Sequence, residues 1–228
     1  MTPFSIKLPN GKQYTFSDWG DYEIYARAEF LGNQAQDVIL FQAVESNDLP
    51  GGRGANCTIL DTNLEQPSSL PVDNQMIVMS IQIKPDDVDS EDANGNIKEE
   101  ASSALGMRMW KDVFANTFFS FTLSRSKPFA EGPIHQFPAG GGMYFQDATS
   151  AIPAATAVTV DQSYVVNNGL PSAISARLLA LPIWIGTMQT FRGKLEFPRG
   201  ALAVGSVAAS AIIGLTTYLY GPRQRPVT

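Results

Sequence analysis

The C-terminal stretch, residues 190–227, constrains the fold more than any other part of the chain. From Phe191 to Phe197, apolar residues and glycine alternate with charged residues. This two-residue period is typical of a strand with one buried face and one solvated face. A Pro-Arg-Gly corner at residues 198–200 interrupts the pattern, because proline cannot donate to a strand ladder and glycine accepts turn dihedrals.

An uncharged run of 19 residues, Leu202–Tyr220, follows the corner. Its length and lack of charge fit a membrane span, or a buried helix. However, the run is rich in small residues, and its second half from Ile212 is β-branched and aromatic, as strands prefer. We therefore predict a last hydrophobic strand. A chain that ends in two long antiparallel strands is most simply a sandwich or barrel.

The composition predicts one packed, turn-rich domain over residues 1–228. The chain is 44% hydrophobic and has 19 Gly and 15 Pro, as in a packed, turn-rich protein. Its length of 228 residues is within the range of single all-β domains. Only 17% of residues are charged, so we expect neighbouring molecules to cover much of the surface. Residues 1–13 lack the layout of a secretory signal, and we expect the mature chain to begin at Met1.

Period-two patterns predict about a dozen β segments, which makes the fold an all-β, antiparallel sandwich. One of the clearest strands covers residues 74–84, with Ile77, Met79, Ile81 and Ile83 on one face and its end at Pro85. The other segments are a hairpin at residues 4–16 and strands near 21–31, 38–44, 57–60, 119–123, 143–145, 155–160, 164–166, 177–185 and 191–197. Strand 177–185 is expected to be fully buried.

One α-helix is predicted between the strands, near residues 98–116. Leu105, Met109 and Val113 recur at four-residue spacing, as on one face of a helix. Glu99 and the next residue would lie at its start, where carboxylates favour the helix dipole. The acidic segment 86–96 before it is expected to be a loop. Its carboxylates are spaced like the first ligands of an EF-hand, but Asp92 stands where that motif needs Gly, so no calcium site is predicted.

Residues that could perform catalysis are sparse. His135 is the single histidine and Cys57 the single cysteine, so the chain alone cannot assemble a histidine-based zinc site or an intrachain disulfide. No serine lies in a Gly-x-Ser-x-Gly elbow, and the glycines at 140–142 lack the Gly-Lys-Ser/Thr ending of a P-loop. We therefore predict no enzyme activity, no cofactor, no metal and no catalytic residue.

The charge distribution argues against direct nucleic-acid binding. The formal net charge is −6, and the 16 basic residues form no arm or stripe that could neutralise phosphates.

Two stretches resemble virion structural proteins of phages that are built on a jelly-roll-like sandwich. In the first, strands at 74–84 and 117–124 lead into FAEGPIHQFPAGGG; in the second, TFRGKLEFPRGALAVG continues into IIGLTTYLYGPRQRPV. The match covers about a third of the chain. The chain departs from the double-jelly-roll type, since its length holds one sandwich, and it lacks the basic N-terminal arm of many single-jelly-roll capsid proteins.

This resemblance implies a non-enzymatic subunit that assembles with copies of itself and other virion proteins into a capsid shell. Its location would be the virion, assembled in the host cytoplasm. Candidate contact elements are the loops Pro50–Gly54 and Pro128–Gly142 and the tail Gly221–Thr228.

Two alternatives from other classes stay open. A carbohydrate- or receptor-binding sandwich of a tail or vertex would expose Trp or Tyr on one face, whereas Trp19, Trp110 and Trp184 are scattered in the sequence. A subunit anchored in a membrane by residues 202–220 would depend on detergent.

Overall fold

The computed structural model describes residues 5–7, 13–15, 19–33, 36–51, 56–91, 97–99, 113–124, 127–139, 144–148, 163–167, 178–200 and 211–224. The strands in chain order are β1 (Ser5–Lys7), β2 (Gln13–Thr15), β3 (Trp19–Leu31), β4 (Val38–Leu40), β5 (Gln75–Glu91), β6 (Ile97–Glu99), β7 (Phe118–Leu123), β8 (Ala130–Pro133), β9 (Tyr144–Ala148), β10 (Ser163–Asn167), β11 (Leu178–Ile185), β12 (Phe191–Glu196) and β13 (Ala211–Gln224). The chain is mostly β, as predicted.

Two antiparallel sheets form the body of the protein. Sheet I has the strand order β11-β5-β13-β3, with β6 paired to the far end of β5, and sheet II has the order β4-β12-β7-β8. The eight strands of the two sheets can be numbered 1 to 8 along the chain if β6 and the separate pairs β1–β2 and β9–β10 are left out. Sheet I then has the order 1-8-3-6, counted from β3 to β11, and sheet II has the order 2-7-4-5, counted from β4 to β8. This is the strand order of a jelly roll. The predicted all-β sandwich is confirmed.

The core lies between the two sheets as one continuous apolar cluster. Phenylalanines from different elements meet within it at edge-on or tilted angles. Phe30 of sheet I lies 5.5 Å from Phe197, measured between ring centroids, and Phe119 of sheet II lies 5.0 Å from Phe137. Such pairs add to the transfer free energy of each buried ring, which is about 1.5–3 kcal/mol. Both sheets are therefore held through their inner faces.

Strand β13 is a central strand of sheet I, paired along its length with β3 on one side and β5 on the other. The predicted last hydrophobic strand is thus confirmed from Ala211, and residues 202–210 lie outside the described part of the chain. Ile213, Leu215 and Leu219 are buried in the core. A strand with neighbours on both sides and a core beneath it has little room for charge, which explains the uncharged sequence.

Strand β3 confirms the predicted strand at 21–31. Ile24, Ala26, Ala28 and Phe30 are buried at alternate positions. In this segment the two-residue alternation outweighs the preference of alanine and glutamate for helix.

The face assigned to the first half of β5 is wrong. Met76 and Val78 are buried, whereas Met79 is 42% exposed; Ile81 and Ile83 are buried as predicted. The cause is a β-bulge, because β5 has one more residue than β13 between the pairs Tyr220–Ser80 and Arg223–Met76. An extra residue reverses which side chains point inward.

The predicted end of this strand at Pro85 is also wrong, since β5 continues to Glu91. A second register shift lies between the pairs Ile213–Val88 and Leu215–Pro85. Proline is tolerated inside a sheet at such a bulge, where the ladder is already interrupted. Residues 86–91 are consequently strand and not the predicted loop.

The predicted helix near 98–116 is confirmed only at its C-terminal end, where residues 113–116 are helical. Residues 97–99 instead form β6, which pairs with Asp89, Ser90 and Glu91 of the extended β5. The assignment of Glu99 to a helix start is therefore wrong. Residues 100–112 lie outside the described part.

Four shorter predictions need correction. The segment 57–60 is turn and not strand, because Asp61 accepts hydrogen bonds from the backbone N–H and hydroxyl of Thr58. The strand from Val38 ends at Leu40, since Phe41 has a left-handed φ of 64°. The loop Pro128–Gly142 contains β8 and a 3-10 turn at Ile134–Gln136.

The fourth correction concerns strand β11, which was predicted to be fully buried but is not. It lies at the edge of sheet I, where Ile183 and Ile185 are buried but Leu178 and Leu181 are 67% and 83% exposed. Pro182 fits an edge strand with a register shift, which the pairing of β11 with β5 shows between Leu178 and Ile183.

Two antiparallel strand pairs outside sheets I and II agree with the predicted β segments. Strands β1 and β2 pair antiparallel, as do β9 and β10. The predicted strand at 155–160 lies outside the described residues.

Candidate functional site

The outer face of sheet I brings together tyrosines from two neighbouring strands. Tyr218 and Tyr220 alternate outward along β13, and their rings lie 5.7 Å apart at an interplanar angle of 23°. Tyr25 is paired with Tyr218 across the ladder, with a centroid distance of 6.1 Å. The result is a strip of aromatic rings along the centre of this face.

A groove of about 840 Å³ begins at one end of the strip. Its walls include Tyr22, Glu23, Met79, Gln82, Leu178 and Tyr220. The strand registers place Glu23, Tyr220, Ser80 and Leu178 side by side across all four strands of sheet I. Two other depressions, of about 460 and 400 Å³, have mainly polar or loop residues in their walls. The volume of the groove on sheet I is within the range typical of ligand sites, about 300–1,000 Å³.

Tyr220 lies beside this groove, opposite Glu23, its partner across the ladder. Burial and a hydrogen bond to the Glu23 carboxylate raise the pKa of Tyr220 above its ordinary value. Burial also raises the pKa values of Tyr218 and Tyr25. These phenols therefore stay neutral at physiological pH, and their rings present a rigid, uncharged surface.

Arg223 packs on Tyr22, a further residue in the lining of the groove. Only 5% of its surface is exposed, and its guanidinium lies 4.6 Å from the Tyr22 ring centroid. Its Nη2 atom lies 3.3 Å from a carboxylate oxygen of Glu65. A buried guanidinium over an aromatic face is attracted by the ring quadrupole. Arg223 thus holds the Tyr22 ring in place.

Gly221 brings β13 and β5 together behind the groove. A Cβ atom at this position would lie 1.9 Å from the backbone carbonyl oxygen of Ile77, at a φ of 156°. Any side chain here would collide with β5 beside the bulge. The groove thus depends on a residue without a side chain.

A charged cluster lies further along the outer face of sheet I. Arg27 of β3 is within 3.0 Å of Glu29, 3.6 Å of Asp61 and 3.8 Å of Asp86, and Thr216 donates a hydrogen bond to Asp86. One guanidinium thus links β3, the loop before β5, β5 itself and, through Thr216, β13. The described part of the chain contains no group of three His, Cys, Asp or Glu side chains suited to a metal ion.

A smaller charged cluster lies on sheet II. Lys194 of β12 is 2.7 Å from a carboxylate oxygen of Asp37 and also pairs with Glu196. Hydrogen bonds to these two carboxylates raise the pKa of Lys194.

The two residues considered for metal or acid–base chemistry lie in ordinary surroundings. His135 is exposed in the 3-10 turn. Cys57 is buried beside Ala43 and Leu49, and burial raises the pKa of its thiol. A thiol with a raised pKa is a poor nucleophile.

The predicted contact elements are partly built into the fold. The Pro50 carbonyl accepts a hydrogen bond from the Glu29 amide, so the start of the loop Pro50–Gly54 lies against β3. In the loop Pro128–Gly142, Ile134 and Phe137 are buried. The tail Gly221–Thr228 belongs to β13 as far as Gln224. The rest of the first loop and of the tail lies outside the described residues.

The tyrosine strip was not predicted, because Ile212–Tyr220 was interpreted as a single buried run. Alternation of Leu215 and Leu219 with Tyr218 and Tyr220 was the available signal. The tryptophans are scattered in the sequence, whereas Trp19 and Trp184 meet with ring centroids 6.0 Å apart. Trp19 and Trp184 are far apart in the sequence, so no local pattern indicates their contact.

Within the described ranges, no helix is long and apolar enough to cross a membrane. No family model matches the chain, and no match was found among the curated proteins or the solved structures.

Proposed function

We propose that the chain is a non-enzymatic structural subunit of a virion, which assembles with copies of itself and other virion proteins into a capsid shell. The strand order of the two sheets is the observation that carries this proposal, because the single jelly roll is an architecture of capsid proteins. Lectins and cupins share the architecture, so the surface must supply the second part of the argument.

The open edge of sheet I supports assembly. Within the described residues, no strand pairs with the outer side of β11, and Leu178 and Leu181 on this strand are 67% and 83% exposed. Natural proteins protect such edges, because an unpaired ladder next to apolar side chains promotes association. In a shell, a neighbouring subunit would cover this edge.

A second apolar surface lies at one end of the sandwich. Val72 and Met188 are 60% and 54% exposed, and a hydrogen bond from the Thr187 hydroxyl to the Asn74 carbonyl joins the two turns that hold them. The low charged fraction of 17% fits a protein whose surface is shared among neighbours. Repeated contacts of this kind can each be weak in a closed shell.

The test is the mass of the detergent-free protein in solution, measured by light scattering, with negative-stain imaging of the same sample. We expect discrete oligomers or shells. The double substitution Leu178→Asp and Leu181→Asp should shift the population toward monomer, because it places two charges on the proposed contact edge.

The matched control, Gln42→Glu with Asn47→Asp, adds the same charge at exposed polar positions and should leave the mass unchanged. A wild-type protein that stays monomeric at all concentrations, or that is recovered only in detergent, would contradict the proposal.

A further inference from the structure

The groove on the outer face of sheet I combines a flat aromatic wall with an apolar floor. Tyr220 lines one wall, with the ring of Tyr218 stacked beside it, and Met79, 42% exposed, contributes apolar surface. Saccharide rings present a flat face of C–H groups, which packs on a fixed aromatic ring. Tyr220 meets this requirement because its ring lines the groove and stacks on that of Tyr218.

Polar groups surround this apolar surface. Asp21, Glu23, Gln82 and Ser80 all line the groove. Carboxylate and amide oxygens accept hydrogen bonds from sugar hydroxyls, and a carboxylate that already accepts one bond has further lone pairs. The combination of one stacking surface and several acceptors suits a polyhydroxylated ligand better than a purely apolar one.

The charge of the groove restricts the ligand further. Its lining includes two carboxylates, those of Asp21 and Glu23, and no basic residue. Arg223, which packs on Tyr22 of the lining, is buried and already paired with Glu65. An acidic saccharide would be repelled, whereas a neutral one would not.

From these observations we infer that the groove binds a neutral oligosaccharide, with one sugar ring stacked on Tyr220. This inference does not depend on the proposed role in a shell, since a monomer would present the same groove.

The experiment titrates the full chain with maltohexaose, cellohexaose, laminarihexaose and mannohexaose by calorimetry and saturation-transfer NMR. At least one of them should bind with a dissociation constant between about 1 μM and 1 mM. Tyr220→Ala should weaken this binding by about ten-fold or more, because it removes the stacking ring, while Tyr220→Phe should retain most of it.

Two further variants separate binding from folding. Leu178→Arg introduces a long side chain at the exposed wall of the groove, away from the core, and should also weaken binding. Phe129→Ala removes a ring that is 56% exposed next to sheet II and should leave binding unchanged. Thermal unfolding of each variant, followed by circular dichroism, identifies those that fold.

Three results would overturn the inference. One is the absence of binding by all four saccharides, and another is equal affinity in the wild type and in a folded Leu178→Arg variant. The third is binding of choline, or of oligogalacturonate as an acidic saccharide, in place of the neutral ones. Choline binding would reassign the groove to cations, which aromatic rings and carboxylates also attract.

Discussion

Gly221 is a residue at which the fold leaves no room for a side chain. Since a Cβ atom would lie 1.9 Å from the Ile77 carbonyl oxygen, we expect Gly221→Ala to force β13 away from β5. The free energy of unfolding should fall by about 2–3 kcal/mol, measured by urea denaturation.

The control for this substitution is Gly20→Ala. No atom lies within 4 Å of a Cβ built at Gly20, so this change should alter the free energy by less than about 0.5 kcal/mol. Equal effects of the two substitutions would mean that the close approach at Gly221 does not limit stability.

The raised pKa of Tyr220 predicts that the protein becomes less stable in alkali. The folded-state pKa of this phenol is raised above the ordinary value of 10.0, as are those of Tyr25 and Tyr218. The unfolded chain therefore loses these protons first, so the stability present below pH 10 declines as the pH rises above it. The urea midpoint should be lower at about pH 11 than at about pH 8.

Tyr220→Phe should reduce this decline, because the titrating hydroxyl is removed. Phe129→Tyr provides the control, since it adds a phenol at an exposed position that ionises alike in both states. A decline of the same size in Tyr220→Phe would show that Tyr220 ionises equally in the folded and unfolded chain.

Strand β3 illustrates how an element at a sheet edge is completed. Asn63, in the loop between β4 and β5, accepts a hydrogen bond from the Tyr25 amide at 3.1 Å and donates one to the Glu23 carbonyl at 2.7 Å. The Asp61 and Pro50 carbonyls accept from the amides of Arg27 and Glu29. This loop replaces the missing neighbour strand and closes the edge.

Asn63→Ala should therefore lower the free energy of unfolding by about 1–3 kcal/mol, because two β3 backbone groups lose their partner. Hydrogen exchange of the Tyr25 amide should accelerate in the same variant. Asn47→Ala, at an exposed position in the same loop, should change neither quantity. Unchanged exchange at Tyr25 would mean that water replaces Asn63 without cost.

Strand β5 shows why an element can be predicted while its faces cannot. Residues 76–79 are all apolar, so the sequence contains no alternation to identify the inner side. The bulge opposite Gly221 makes that choice, and a bulge depends on the partner strand. The same reason explains the continuation past Pro85, which lies at the second bulge.

At the scale of the whole molecule, the apolar cluster joins both sheets without interruption. We therefore expect residues 1–228 to unfold as the single domain that composition predicts. Urea transitions followed by far-ultraviolet circular dichroism and by tryptophan fluorescence, to which the Trp19–Trp184 pair contributes, should coincide. Separate midpoints would show more than one cooperative unit.

The proposed assembly surface and the proposed saccharide site overlap only at Leu178. Assembly depends mainly on the exposed leucines of β11 and the apolar end of the sandwich, whereas saccharide binding depends on the tyrosine strip. Leu178 belongs to both surfaces, so Leu181→Asp alone would weaken association and leave saccharide binding intact.

The fold class could be predicted from local sequence patterns, because the strands at Trp19–Leu31, Phe118–Leu123 and Phe191–Glu196 have the two-residue period of a half-buried sheet. The scarcity of histidine and cysteine is likewise a property of the sequence. The strand order, the bulges in β5 and the groove became visible only in the folded chain. Each of these depends on pairing between residues far apart in the chain, such as Glu23 with Tyr220, and a local pattern contains no information about its distant partner.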